Sequence, residues 1–456
     1  MAQTESQPWN PEHSWADPFI AALVLAILLL AGGQSWLRRT RPHGTENGLT
    51  LQGRIQDVVL GAARAASFAP LKNLKLPGTS ISELAEGHRS AWDQALLAVH
   101  AAEAGDLDTG GRLIGAAPGA DGAAFRQAWQ WSYRGAGTPP TAEAFRAVQR
   151  ALGGGCAARI LEARLLAKSG GDPGPLVAQA QAWATARLVA FGSASSAGVL
   201  LAMAGLGFAL YLFLMPGRPV SLPHFGLSGR AVVIVMLAWF LALLAAGPLV
   251  TALVSVLPGL RPLFLPLVYG FHALLGLGFL CRAEGVDLPT LWRRVAPGRH
   301  RTALAMGLGF FALAFGAVVA VSLVLSPLLH NAEPPQKDLL ELLGHMRGFW
   351  TVTLLFLTVA VAAPVFEEIL FRGFLLPWLG ERMEARLGAR RGRLLAVAVT
   401  GLGFGAMHMQ PLGLPTLTTL GIVLGFAFVR TGDLTTSILV HGLWNGGIFI
   451  IMRTMV

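Results

Sequence analysis

The sequence predicts an all-α, polytopic membrane protein with a small inserted α-helical soluble domain, and three observations carry that expectation. Hydrophobic residues make up 54% of the 456 positions and charged residues only 13%, whereas about a quarter of a soluble domain is charged. Nine stretches, 19–37, 192–215, 231–256, 262–281, 303–326, 349–371, 394–409, 415–429 and 434–452, are predominantly apolar, and roughly 20 such residues cross a bilayer as a helix. Lys and Arg gather in the loops beside these stretches, as they do in the cytoplasmic loops of membrane proteins.

The elements follow in chain order. Residues 1–18 contain Glu5, Glu12 and Asp17 and no Lys or Arg, the reverse of the basic n-region of a cleaved signal peptide. Trp15 and Trp36 bracket the first apolar stretch as interfacial aromatics do, so 1–38 reads as a tail and a retained anchor. Residues 39–190 change character, with many Ala, Gly and charged positions. Ser80-Ile-Ser-Glu83 fits a capping box. In the helix after it Trp92, Ala95, Leu96 and Val99 recur at helical spacing. Thr141 is placed to cap a second helix with Phe145, Val148 and Leu152 on one face, closed by Gly153-Gly154-Gly155; a third runs through Ile160, Leu161, Arg164 and Leu165. No repeat period emerges, and no catalytic constellation, so 39–190 reads as scaffold or as a surface for a protein partner.

Residues 191–299 supply membrane helices that precede a core at 300–456. The segment 394–409 is short, and 262–281 reads as broken by Pro266 and Gly270. The loop 282–301 holds Arg282, Arg293, Arg294, Arg299 and Arg301, and 381–393 holds Arg382, Arg386, Arg390, Arg391 and Arg393; both are expected on the cytoplasmic side. Arg38, Arg39 and Arg41 ask for the same side. Three spans between 190 and 282 set these demands against each other, so either a segment in 231–281 is re-entrant or 39–190 crosses despite its flanks. The polar loop 330–348 is expected on the far side. A multi-pass protein of the plasma (cytoplasmic) membrane is the resulting expectation.

The net charge of +10 is accounted for by these loops and by anionic headgroups, so nucleic acid is not an expected partner. Cys156 and Cys281 are far apart and form neither a disulfide framework nor a CxxC metal site.

Three of the last apolar stretches carry ionisable or polar groups, which at membrane depth are costly and mark function. Glu367 and Glu368 are adjacent, so on a helix they point about 100° apart and serve different roles. Glu368 and Arg372 stand i,i+4 with the acid first, the order that suits a same-face ion pair. Glu367, without a partner on its own helix, is the candidate for chemistry, since a carboxyl in apolar surroundings is suited to general acid–base work. His408 follows Phe404 among Gly401, Gly403 and Gly405, small residues that let helices approach closely. His441 and Asn445 share a face of the last helix. His272, in an apolar stretch with no patterned partner, reads as structural. If the helix of Glu367 runs to Pro377, the carboxyl lies about 15 Å inside it, and His441 about 12 Å beyond Asp433. Those depths agree.

The ordered set Glu367-Glu368-Ile-Leu-Phe-Arg372, Phe404-Gly-Ala-Met-His408 and His441-Gly-Leu-Trp-Asn445 resembles the CPBP intramembrane proteases (CAAX prenyl endopeptidase type II and bacteriocin-processing, or Abi, proteins) over roughly 300–450. The resemblance implies an intramembrane endopeptidase acting on a membrane-associated protein or peptide, with the prenylated CaaX type as one class. It implies that Glu367 and His408 activate a water, that His441 and Asn445 stabilise the oxyanion, and that Glu368, Arg372 and Phe404 support them. There is no His-Glu-x-x-His helix, yet Glu367, His408 and His441 are candidate ligands for a catalytic zinc. Glutamate-type and metal-dependent (metalloprotease) readings both stand, with no other cofactor expected. Two readings compete with proteolysis: a transporter or proton-coupled permease using the same polar residues, for which the paired interrupted helices of a repeat are missing, and a scaffold that has lost turnover.

Overall fold

The computed structural model describes residues 10–11, 16–28, 51–63, 81, 91–141, 146, 149, 152, 154–215, 220–298, 300–329, 343 and 348–455. The capping box at 80–83, the Phe145–Val148 face, the residues around Trp15 and Trp36, the arginines at 38, 39 and 41, and the polar loop 330–348 up to its last residue fall outside these, Ile81 and Leu343 apart. Described secondary structure is entirely helical. It comprises α1 (Ala16–Leu28), α2 (Leu51–Ala63), α3 (Ala91–Glu103), α4 (Leu107–Ile114), α5 (Gly119–Trp129), α6 (Cys156–Lys168), α7 (Gly174–Leu214), α8 (Gly229–Val256), α9 (Phe264–Glu284), α10 (Leu288–Val295), α11 (His300–Leu329), α12 (Phe349–Leu387), α13 (Ala389–Met407), α14 (Leu414–Thr431) and α15 (Leu434–Met455).

Among the described residues, seven helices are long and apolar enough to cross a membrane: Gly174–Leu214, Gly229–Val256, Pro258–Glu284, Ala303–Ser326, Phe349–Leu387, Leu414–Thr431 and Leu434–Arg453. The chain is a multi-pass helical membrane protein. The remaining two of the nine apolar stretches give α1, 13 residues long as described, and α13, whose first turn holds Arg390, Arg391 and Arg393. The stretch 262–281 is not broken. Pro266 lies in the first turn of α9, where backbone N–H groups have no partner within the helix, and α9 continues through Gly270. Both α8 and the 27-residue Pro258–Glu284 have full spanning length, so length gives no support to a re-entrant segment there.

Two compact units divide the chain, one of residues 1–40, 198–335 and 346–450, the other of 41–197, 336–345 and 451–456. In the second, Trp92, Leu96, Phe125, Trp129 and Leu161 form the buried core. The carboxylate of Asp57 accepts from the backbone amides of Cys156 (2.7 Å) and Ala157 (2.8 Å) and from His100 Nε2 (2.9 Å). It therefore caps α6 from another helix, satisfying donors that a helix start leaves free. Gly155, at the N-cap position, is where a Cβ would run into Asp57.

In the first unit, α8 packs on α9, α11 on α14, and α13 on both α12 and α14. Trp239, Phe310, Phe366, Phe371, Phe374, Phe404 and Phe428 fill its core. The glycines at α13–α14 permit a close crossing, for a Cβ on Gly421 would stand 2.8 Å from the Gly401 carbonyl oxygen.

α12 is one helical element broken in regularity twice. π-helical turns at Thr358–Ala362 and Ile369–Leu375 flank the α-helical Ala363–Glu368, and such bulges recur at functional sites. A proline follows each. The Ala363 N–H reaches back to the Thr358 carbonyl, and Pro364 has no N–H to offer. The carbonyl of Val359 is thus left without a main-chain donor.

Candidate active site

The six-residue turn between the π-helical segments aims Glu367 and Glu368 into the protein, 7% and 0% exposed. Glu368 and Arg372 form the ion pair, Nη1 to Oε1 at 2.7 Å, with both side chains fully buried. Arg372 is held further by Nη2 donating to the Gly421 carbonyl at 2.9 Å, which the close α13–α14 crossing brings within reach. Its guanidinium lies over the Phe404 ring, 4.5 Å from the centroid, a cation–π contact.

Glu368 also accepts a hydrogen bond from His441 Nδ1 at 2.9 Å. That bond sets the ring's orientation and turns Nε2 toward Glu367, whose Oε2 lies 3.8 Å away. The separation exceeds a direct hydrogen bond and suits a shared intervening group. The other oxygen of Glu367, Oε1, accepts from the Tyr269 hydroxyl of α9 at 2.5 Å. Glu367, Glu368, Arg372 and His441 thus form one contiguous buried cluster.

Asn445 lies one turn beyond His441, and its Nδ2 donates to the Val359 carbonyl at 3.0 Å, the group orphaned by Pro364. A carboxamide has two N–H bonds, so one remains beyond this contact. Gly442 and Gly446 let α15 sit on the same π turn, since a Cβ at Gly442 would be 2.8 Å from the Ala360 oxygen.

His408 caps α13 and is half-buried. Its Nδ1–H donates to the Phe404 carbonyl at 2.8 Å, which leaves Nε2 as an acceptor. Phe404 packs against both imidazoles, its ring centroid 4.9 Å from His408 and 5.4 Å from His441. No described hydrogen bond joins His408 to Glu367. Met409 follows with φ of 52°, a left-handed conformation that costs a side-chain-bearing residue about 1 kcal/mol or more and turns the chain sharply after the imidazole.

The candidate zinc ligands do not converge. His441 bonds Glu368 and His408 bonds its own helix through Nδ1, which leaves each Nε2 open. Among the described residues no three His, Cys, Asp or Glu side chains stand together as a metal site. As placed, the three candidates are not gathered into one centre, and no step is derived through a zinc ion.

Tyr269 is the residue that sequence reasoning missed. The chain has three tyrosines, two of them, Tyr211 and Tyr269, inside apolar stretches, which was a weak signal. His272, expected to be structural, bonds the Val268 carbonyl through Nδ1 at 3.0 Å and packs edge-on against Tyr269.

Buried acid, imidazole and guanidinium thus meet inside helices long and apolar enough to cross a membrane. Residues 349–447 match the family model of the Rce1-like type II CAAX prenyl endopeptidases. Over this segment the chain is similar to the CAAX protease family, which supports an intramembrane endopeptidase in general. No curated protein and no solved structure matches the chain.

Proposed function

We propose that this protein hydrolyses a peptide bond of a membrane-associated protein or peptide, with Glu367 as the group that takes the proton from water. The observation that carries this reading is the 3.8 Å gap between Glu367 Oε2 and His441 Nε2, at the centre of a buried cluster. With His441 as the imidazolium, Glu367, Glu368, Arg372 and His441 sum to no net charge. Transfer of a proton from water to Glu367 then leaves the developing oxyanion facing the His441 cation, with no uncompensated charge created in a dry site.

In this scheme His441 Nε2–H and the second N–H of Asn445 donate to the oxyanion. His408 Nε2, an acceptor on a ring that packs on the same Phe404, orients the water. Glu368 and Arg372 hold His441 and balance its charge. The protonated Glu367 then returns its proton to the leaving amine, as a general acid. Prenylated CaaX-type proteins are the substrate class the family suggests, and the lipid bilayer is the medium in which they present the scissile bond. The helical unit 41–197 is proposed as a partner surface, and the plasma membrane as the location.

Glu367→Ala protein in liposomes is expected to lose cleavage of a farnesylated CaaX peptide by about 10²–10⁴-fold while its far-UV circular dichroism shows the helices still folded. Full cleavage by that variant refutes the assignment. A glutamate-type site also predicts that a chelator leaves the native rate unchanged, and loss of turnover on chelation, restored by zinc, would replace it with a metalloprotease.

A further inference from the structure

We propose that Tyr269 is a positioning residue for Glu367, supplied by a helix that lies outside the segment matching the endopeptidase family. The inference rests on the reading of Glu367 as proton acceptor. The matched segment begins at residue 349, and Tyr269 precedes Glu367 by 98 positions. Its hydroxyl is nonetheless bonded directly to the Glu367 carboxylate.

The terminal torsion of a glutamate is broad and two-fold, so an unpartnered carboxylate swings about its own axis. Commitment of Oε1 to Tyr269 removes that freedom. Oε2 is then the oxygen presented toward His441 Nε2, 3.8 Å away, and toward a group that bridges the two from the side. Fixing the acceptor before the reaction is where positioning contributes to rate.

The helix α9 is shaped for this contact. The ring of Tyr269 is braced by His272, with centroids 4.6 Å apart, and by Phe366 at 6.4 Å. His272 is itself fixed to the Val268 carbonyl and presses on Phe366 at 5.7 Å. Further along, Gly276 leaves room where a Cβ would come within 2.6 Å of Trp239 and 2.9 Å of Phe366. That missing side chain lets α9 lie against the residue immediately before Glu367. A phenol buried merely as core has no need of a charged acceptor, and only three tyrosines occur in the chain.

The test uses full-length Tyr269→Phe protein in liposomes with a quenched farnesylated CaaX peptide as the probe. The variant is expected to lose kcat by about 10–100-fold, since small misplacements of a reacting group cost that much. KM and the melting temperature should remain within error. A kcat within two-fold of native, or an equal loss traced to a lowered melting temperature, overturns the proposal. A second measurement does not need turnover. Infrared difference spectra between native and Glu367→Gln protein isolate the carboxyl bands of residue 367, and those bands should shift in Tyr269→Phe as one oxygen loses its donor. Unmoved bands overturn the positioning role even if the native protein leaves the probe uncut, a result that would count instead against the proposed substrate.

Discussion

Each compact unit buries a carboxylate against an imidazole at the same separation: Asp57 with His100 and Glu368 with His441, both at 2.9 Å. They differ in where the other contacts go. Asp57 ends on main chain, accepting from Cys156 N and Ala157 N, and so locks one helix to the start of another. Glu368 ends on side chains, with Arg372 on one hand and, through the far nitrogen of His441, Glu367 on the other. A buried pair closed by backbone amides is scaffold. One whose imidazole opens onto a second carboxylate has a route for a proton.

The sharpest way to break this comparison is Glu368→Ala. It leaves Arg372 buried without its counter-charge and His441 without an acceptor, a loss of about 3–5 kcal/mol for one partner of a buried ion pair. Thermal unfolding in detergent should register the destabilisation, and peptide cleavage should vanish with it. If the variant keeps native stability and activity, the two pairs are equivalent and the distinction fails.

Asp57→Ala should cost less, about 2–4 kcal/mol, from a lost cap and buried amides left without an acceptor. The damage should stay local: faster hydrogen exchange in α6, with cleavage of the peptide probe unchanged. Activity that falls in step with exchange would make Asp57 part of the functional apparatus. Gly442→Ala sets the smallest effect, about 1–3 kcal/mol of overpacking where α15 meets the π turn of α12. It should lower kcat only modestly, and a rise in melting temperature would mean that the turn has room to yield.

Much of this was legible in the sequence. Apolar length gave the membrane class, and the i,i+4 spacing of Glu368 and Arg372 gave their ion pair, because both are local properties of one helix. Residues joined across the chain left weaker marks. Asp57 and Cys156 meet 99 positions apart, and neither carries a periodic signal. Tyr269 sits in an apolar stretch whose proline and glycine suggested a break, so a phenol aimed at Glu367 could not be read there. The π turns of α12 were invisible because a bulge leaves the apolar pattern nearly intact, although Pro364 and Pro377 mark where regular bonding must change. For the zinc candidates the sequence offered residue types alone, and only geometry showed that one nitrogen of each imidazole is bonded to Glu368 or to the Phe404 carbonyl.

The Val359 carbonyl makes Asn445 answerable to Pro364. Any other residue at 364 would restore an amide to α12 and free the carboxamide to turn, so these two positions are thermodynamically wedded although no contact joins them. Loss of turnover in an Asn445 variant therefore blends a broken hinge pin with a missing donor, and only a chain already relieved of that proline lets the two be told apart.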